Sequence, residues 1–169
     1  RLTGGYLFHR RLVDLAARHA ARLEFVSVPD RPFPLAALDG PAALDQARRT
    51  GAQVIVLDSI AAAFVGPWLA VHDPPLPLVG MLHQPPGGID FGPARTRLQA
   101  RLDRLGYRHL SRILVASDSL ADDLRGLGLL VSVVPPGRDV ASGVGPPPGD
   151  LRHGRRMAVL CVGNWVERK

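Results

Sequence analysis

Five short apolar runs alternate with segments of helical periodicity along the first 135 residues of the chain. The runs lie at residues 23–28, 53–57, 78–82, 112–116 and 130–134. Runs with little polar alternation are typical of strands that are buried on both faces. Their alternation with helices predicts an α/β fold, a Rossmann-like parallel sheet with helices on both faces. Because the chain enters at a Gly4-Gly5 turn, we also expect a strand directly ahead of that turn.

The segments between the runs carry helix signals. Apolar residues three and four apart predict a helix over about 6–22, and Asp39-Gly40-Pro41 opens a short helix that Gly51 ends. An Ala-rich segment covers about 60–71, and a helix over 94–108 has leucines along one face. Ser119 is the predicted N-cap of a helix over 120–127, which Gly128 ends.

Composition changes sharply after residue 135. Residues 136–154 are rich in Pro, Gly and Ser, which is typical of a linker, and an apolar run follows at 156–162. We therefore predict an N-terminal domain over 1–135, a linker over 136–154 and the start of a second domain over 155–169.

Charge and cysteine content exclude several classes of protein. The net charge of +6 comes almost entirely from arginine, and aromatic residues are only 5% of the chain, too few for a nucleic-acid stacking surface. We therefore expect no nucleic-acid partner. Cys161 is the single cysteine and lies in an apolar run, so a buried thiol is expected and an intrachain disulfide is excluded. The sequence has no Cys/His cluster, so we expect no metal site. It also has no signal peptide and no membrane-spanning run, so we expect a cytoplasmic protein.

Both ends of the chain carry phosphate-binding signals. Gly4-Gly5 leads into a helix, whereas Val162-Gly163-Asn164 follows an apolar strand and leads to Arg168 and Lys169. A strand, a glycine turn and nearby cations bring backbone N–H groups and positive charge to a phosphate.

In order and spacing, these motifs resemble the retaining glycosyltransferases of family 4. The resemblance also includes the strand that ends at His83, the segment 117–128 and the run that leads into Pro135-Pro136-Gly137-Arg138-Asp139. It implies a GT-B architecture of two Rossmann-like domains, of which this chain is the N-terminal domain plus the first strand of the C-terminal domain.

The resemblance assigns roles to single residues. Gly4 and Gly5 match the loop near the donor phosphates, and His83 matches a cleft histidine that contacts the transferred sugar. Lys169 matches the lysine that binds the donor diphosphate, with Arg168 beside it. Asn164 stands where the family often has an arginine.

The implied activity is transfer of a sugar from a nucleotide-sugar donor to an unidentified acceptor, with no additional cofactor. The acidic residue that faces the donor sugar and the pocket for the base would lie in the rest of the C-terminal domain, so we expect the 169-residue chain alone to be inactive. Segments 31–39 and 84–95 are expected to form the acceptor pocket. A GT-B sugar-nucleotide epimerase and a non-catalytic Rossmann-like binding module remain open as alternatives.

Two further features have more than one interpretation. Arg97, Arg101, Arg104 and Arg108 share one helical face, which favours either peripheral contact with anionic lipid at the inner membrane face or a solvated surface with Asp103 interspersed. Asp58 and Ser59 end a predicted strand and either contact the acceptor or cap the next helix.

Overall fold

The computed structural model describes residues 4–29, 31, 35–69, 71–88, 92–135 and 137. Nearly all of them belong to the first of two units into which the chain divides, Arg1–Pro136. Apart from Gly137, the predicted linker lies outside the described residues, and so do the predicted strand at 156–162, Cys161 and the C-terminal phosphate motif. The proposed domain boundaries therefore stay predictions.

A parallel sheet of four strands forms the centre of the first unit. The strands are β1 (Ile55–Asp58), β2 (Leu78–Leu82), β3 (Arg112–Val115) and β4 (Val131–Val133), and they lie side by side in chain order. Ile55 pairs with Leu78, and Ile113 pairs with Val131, all in parallel register. The apolar runs predicted these strands to within two residues at each end, because burial on both faces requires apolar side chains at consecutive positions.

Helices connect and flank these strands. In chain order they are α1 (Gly4–Ala16), α2 (Gly40–Arg49), α3 (Ser59–Leu69), α4 (Pro93–Tyr107) and α5 (Asp118–Arg125), with short 3-10 turns at Ala17–His19 and Leu35–Asp39. Each step from β1 to β4 passes through one helix, as parallel neighbours require. The predicted α/β class, a Rossmann-like parallel sheet flanked by helices, is confirmed.

Two helix starts test the capping predictions. Asp39 precedes α2 and Pro41 lies in its first turn, as predicted. The prediction for α5 was wrong: the cap is Ser117, whose hydroxyl accepts the Leu120 N–H at 3.4 Å, and Ser119 lies inside the helix. Ser117 has the extended backbone that an N-cap needs, and so α5 begins at Asp118.

The strand predicted at residues 23–28 was also wrong. Residues 21–29 have no regular secondary structure, and Phe25 is 61% exposed. A strand needs a hydrogen-bonded neighbour, and none of the described strands pairs with this segment. An apolar cleft of about 350 Å³ lies along it and reaches Val56 on β1 and Val13 on α1. The strand expected ahead of Gly4 stays a prediction.

Helices α3 and α4 pack closely against each other through two glycines. A Cβ atom on Gly106 would lie 2.6 Å from Gly66 Cα, and one on Gly66 would lie 3.2 Å from the Leu102 carbonyl oxygen. The two backbones therefore approach more closely than side chains would allow. Beside this contact lies the core, whose most deeply buried side chains are Leu69, Leu78, Leu82, Tyr107, Ile113 and Leu124.

The face of α4 that packs inward is not its leucine face. Gln99, Asp103 and Tyr107 are buried, whereas Leu98 is 51% exposed and Leu105 is 41% exposed. Asp103 is therefore not interspersed on the solvated arginine face, contrary to one of the two interpretations of that surface. The loop after β2 packs on this face, and its Gly87 N–H binds Asp103, which explains why polar side chains are buried here.

Candidate functional site

His83 lies directly after β2, at the edge of the sheet where the strands end. Its backbone N–H donates a 2.8 Å hydrogen bond to the hydroxyl of Ser59, the first residue of α3 after β1. In open α/β sheets, ligands bind in the crevice outside the carboxyl ends of the strands. The predicted cleft histidine therefore lies at the edge where such a site is expected.

The first turns of α1 reach the same edge. The His83 ring meets Phe8 edge-on, with 5.4 Å between ring centroids, and it lies 5.6 Å from the His9 ring. Gly4 and Gly5 are the first two residues of α1, and so they belong to the helix start rather than to a turn ahead of it. First-turn N–H groups have no partner within their own helix, which suits an anion.

The environment of His83 favours its neutral form. Burial lowers the pKa of His83, and positive charge on His9 lowers it further, whereas Asp58 opposes the shift. A neutral imidazole can donate from one nitrogen and accept at the other, which suits contact with a sugar hydroxyl.

His9→Gln should raise the pKa of His83 toward its ordinary value without reaching it, because burial is the larger cause. Since folding lowers this pKa, protonation of His83 costs stability, and the cost grows as the pH falls below 6.5. An NMR titration of the His83 ring protons measures the shift, with His72→Gln as control because His72 stacks on Trp68 instead. An unchanged His83 titration in His9→Gln would contradict the coupling.

The side chains of Asp58 and Ser59 both accept hydrogen bonds from backbone N–H groups at this edge of the sheet. The Asp58 carboxylate accepts the Ala61 N–H at 2.7 Å and so closes the first turn of α3. Of the two interpretations of this pair, the helix cap is the one that these contacts support. Ser59 links β1 to the residue after β2, a function that sequence reasoning missed.

A buried carboxylate holds the loop that follows His83. Asp103 on α4 accepts the Gly87 N–H at 2.7 Å and an N–H of the Gln99 amide at 2.6 Å. Gly87 has a φ of +93°, and a Cβ atom there would lie 2.6 Å from the Thr96 carbonyl oxygen, so the loop lies directly against α4. Burial raises the pKa of Asp103, while its bonds from Gly87 and Gln99 lower it.

Asp103→Asn should destabilise the protein by about 1–3 kcal/mol, because an amide that replaces the carboxylate leaves one of the two buried donors facing an N–H group. Urea unfolding measures the loss, and hydrogen exchange at the Gly87 amide should become faster. The exposed Asp123→Asn on α5 is the control. Equal stabilities of the two variants would show that Asp103 does not hold the loop.

Both segments that were predicted to form the acceptor pocket contribute to one cavity, and its function stays a prediction. Arg31, from the first predicted segment, lines one cavity together with Gln84 and Arg95 from the second. Among the described residues, no group of three or more His, Cys, Asp or Glu side chains could hold a metal ion. Asn164, Arg168 and Lys169 lie outside the described residues, so their predicted contacts remain predictions.

A family model described as a glycosyl transferase 4-like domain matches residues 2–137. The chain belongs to this glycosyltransferase family. No curated protein and no solved structure matches it. The match covers the whole described α/β unit of this glycosyl transferase 4-like chain, including the α1 start, His83 and the loop after it.

Proposed function

We propose that this chain is the acceptor-side part of an enzyme that transfers a sugar from a nucleotide sugar to an acceptor hydroxyl with retention of configuration. The bond between the anomeric carbon and the diphosphate oxygen breaks, and a bond from that carbon to the acceptor oxygen forms. The departing diphosphate takes the hydroxyl proton. The observation that carries the proposal is the family match over 2–137 with His83 at the carboxyl edge of its sheet.

In this proposal His83 acts on the sugar. The residue as a whole is exposed at the sheet edge, Phe8 and His9 cover part of its ring, and Ser59 holds its backbone, so the imidazole is positioned without being closed off. A neutral imidazole there hydrogen-bonds a sugar hydroxyl and stabilises charge that develops near the anomeric centre.

Several groups of the chain bind the donor diphosphate in this proposal. The start of α1, with Gly4 and Gly5, supplies backbone N–H groups, and Lys169 and Arg168 supply positive charge. Asn164 adds an amide where a guanidinium would bind more strongly. No further cofactor takes part, and the 169-residue chain alone should not turn over.

An acceptor-dependence assay tests the proposal with the full-length natural protein. Release of nucleoside diphosphate from one nucleotide sugar should require an added acceptor mixture, such as a lipid and metabolite extract. Turnover of the nucleotide sugar without any acceptor would indicate an epimerase instead. Binding without turnover under every condition would indicate a non-catalytic module.

We also propose that α4 contacts anionic lipid, which places the protein at the cytoplasmic face of a membrane. Arg97, Arg101, Arg104 and Arg108 are all exposed, and the half-exposed Leu98 and Leu105 border them. The single acid of α4, Asp103, is buried on the opposite side. Cations with apolar side chains beside them suit the interface of an anionic bilayer. Within the described residues, every helix falls short of the length and apolar character that crossing a bilayer requires.

Replacing Arg97, Arg101, Arg104 and Arg108 with glutamine should abolish sedimentation of the protein with equimolar phosphatidylglycerol–phosphatidylcholine vesicles. Binding by the wild type should weaken as salt is added. Arg48→Gln with Arg49→Gln is the matched control, because these exposed arginines lie on α2 and pair with Asp45. Absence of wild-type binding would refute the lipid contact.

A further inference from the structure

A second imidazole, that of His9, lies beside His83 at the carboxyl edge of the sheet. His9 belongs to the second turn of α1, and the centroid of its ring lies 5.6 Å from that of His83, with 50° between the ring planes. Phe8 completes the group, at 6.0 Å from His9 and 5.4 Å from His83. Three rings from two distant parts of the chain therefore form one cluster, and two of the three can exchange hydrogen bonds with a ligand.

Helix geometry directs the side chain of His9 toward the start of α1. Gly5 and His9 are four residues apart, and so they share one face of this helix. Side chains of an α-helix lean toward its N-terminus, so the imidazole of His9 covers the turn that contains Gly5. Because the same ring contacts His83, it lies next to both the first-turn N–H groups of α1 and the imidazole after β2.

The acids near His9 have partners of their own. Asp58 and Glu24 line the same cleft as His9. The Asp58 carboxylate accepts the Ala61 N–H at 2.7 Å, and Glu24 pairs with Arg22. Within the described part of the chain, the His9 ring makes its contacts with the other two rings of the cluster. An imidazole that packs against rings keeps its N–H available to a ligand.

The order of these groups matches the order of the parts of a nucleotide sugar. In the proposed function the start of α1 binds the diphosphate, and His83 acts on the sugar. One oxygen joins the second phosphate to the anomeric carbon, and it lies between these two parts of the donor. That oxygen gains negative charge as its bond to carbon breaks. A hydrogen-bond donor next to both groups would therefore stabilise the transition state more than the bound substrate.

We propose that His9 is a second catalytic residue of the transfer, and that its imidazole N–H donates a hydrogen bond to the departing diphosphate oxygen. The bond between the anomeric carbon and that oxygen breaks, and its electron pair stays on the diphosphate. His9 keeps its proton, because the diphosphate takes the proton of the acceptor hydroxyl. His83 then acts on the sugar and His9 on the phosphate. This assignment rests on the proposed transferase function.

Calorimetric titration of the full-length protein with UDP, GDP and ADP, and with the three corresponding monophosphates, tests the phosphate contact. His9→Phe keeps a ring in the cluster without an N–H group. It should bind the preferred diphosphate about tenfold more weakly, whereas the monophosphate, which lacks the second phosphate, should bind within about twofold of the wild type. His19→Phe is the matched control, because His19 is exposed and lies in the 3-10 turn after α1, at the opposite end of this helix.

Rates separate a catalytic function of His9 from a structural one. His9→Phe should lower kcat for acceptor-dependent release of nucleoside diphosphate by about 100-fold. His9→Gln keeps an N–H donor and should recover about tenfold of that loss. Equal weakening of diphosphate and monophosphate binding would indicate a structural function and overturn the assignment. An unchanged kcat in His9→Phe would also overturn it.

The titrations also separate this assignment from the proposed function on which it rests. If the wild type binds a nucleoside diphosphate and His9→Phe binds it equally well, only the assignment of His9 fails. If the wild type binds no nucleotide, the proposed transferase function fails together with the assignment.

Discussion

Gly106→Ala should lower the free energy of unfolding by about 2 kcal/mol, although alanine is the better helix former. The added Cβ atom would lie 2.6 Å from Gly66 Cα, a backbone atom that can move only if α3 moves. Overpacking of this kind lowers the free energy of unfolding by up to about 3 kcal/mol. The higher helix propensity of alanine raises it by about 1 kcal/mol. Urea unfolding of the 169-residue chain measures the difference.

Gly126→Ala is the matched control and should have the opposite sign. Gly126 ends α5 with a φ of −57°, and a Cβ atom there would lie 3.5 Å from the Asp122 carbonyl oxygen, an ordinary contact. Alanine lowers the conformational entropy of the unfolded chain, and so Gly126→Ala should stabilise the protein by about 0.5 kcal/mol. A Gly106→Ala variant as stable as Gly126→Ala would show that α3 and α4 do not meet at this glycine pair.

His83→Ala should reduce kcat for sugar transfer by about 100-fold, the effect of losing one donor that stabilises developing charge. Stability should change little, because His83 is exposed as a whole and Ser59 binds the backbone of this residue rather than its side chain. Acceptor-dependent release of nucleoside diphosphate by the full-length protein measures the rate.

His83→Gln separates the chemical role from a structural one. Glutamine keeps a hydrogen-bond donor and an acceptor near the position of the imidazole, so His83→Gln should retain more activity than His83→Ala. Its pH–rate profile should lack the decline at low pH that protonation of His83 causes. Wild-type activity should fall as the pH drops below 6.5, at a value set by the lowered pKa of His83. Activity of His83→Ala equal to that of the wild type would remove this residue from the mechanism.

The sheet could be predicted from the sequence because a strand that is buried on both faces needs consecutive apolar residues, which are visible as a run. The run at 78–82 became β2 without a change of bounds, and the helix predicted at 94–108 is α4 displaced by one residue. The run at 23–28 is also mostly apolar, although it includes Glu24 and Ser27. A strand depends on a neighbour, and composition carries no information about that neighbour.

The site could be predicted only in part, because its contacts join residues far apart in the chain. His83 followed from its place at the end of a strand, whereas His9 beside it had no signal beyond its helical pattern. Asp103 was assigned to a solvated face because its neighbours on α4 are arginines. Its burial depends on the Gly87 N–H, which the loop after β2 delivers and which no periodicity along α4 reveals.

Protection of the full-length protein against thermal unfolding by nucleoside diphosphates and nucleotide sugars tests the central claim most directly. One base should stabilise the protein selectively, by about 2.7 kcal/mol at a hundredfold excess over Kd, and Lys169→Ala should remove most of that effect. His83→Ala should weaken protection by the nucleotide sugar more than protection by the nucleoside diphosphate. Absence of protection by every nucleotide would contradict a donor site and favour a non-catalytic binding module.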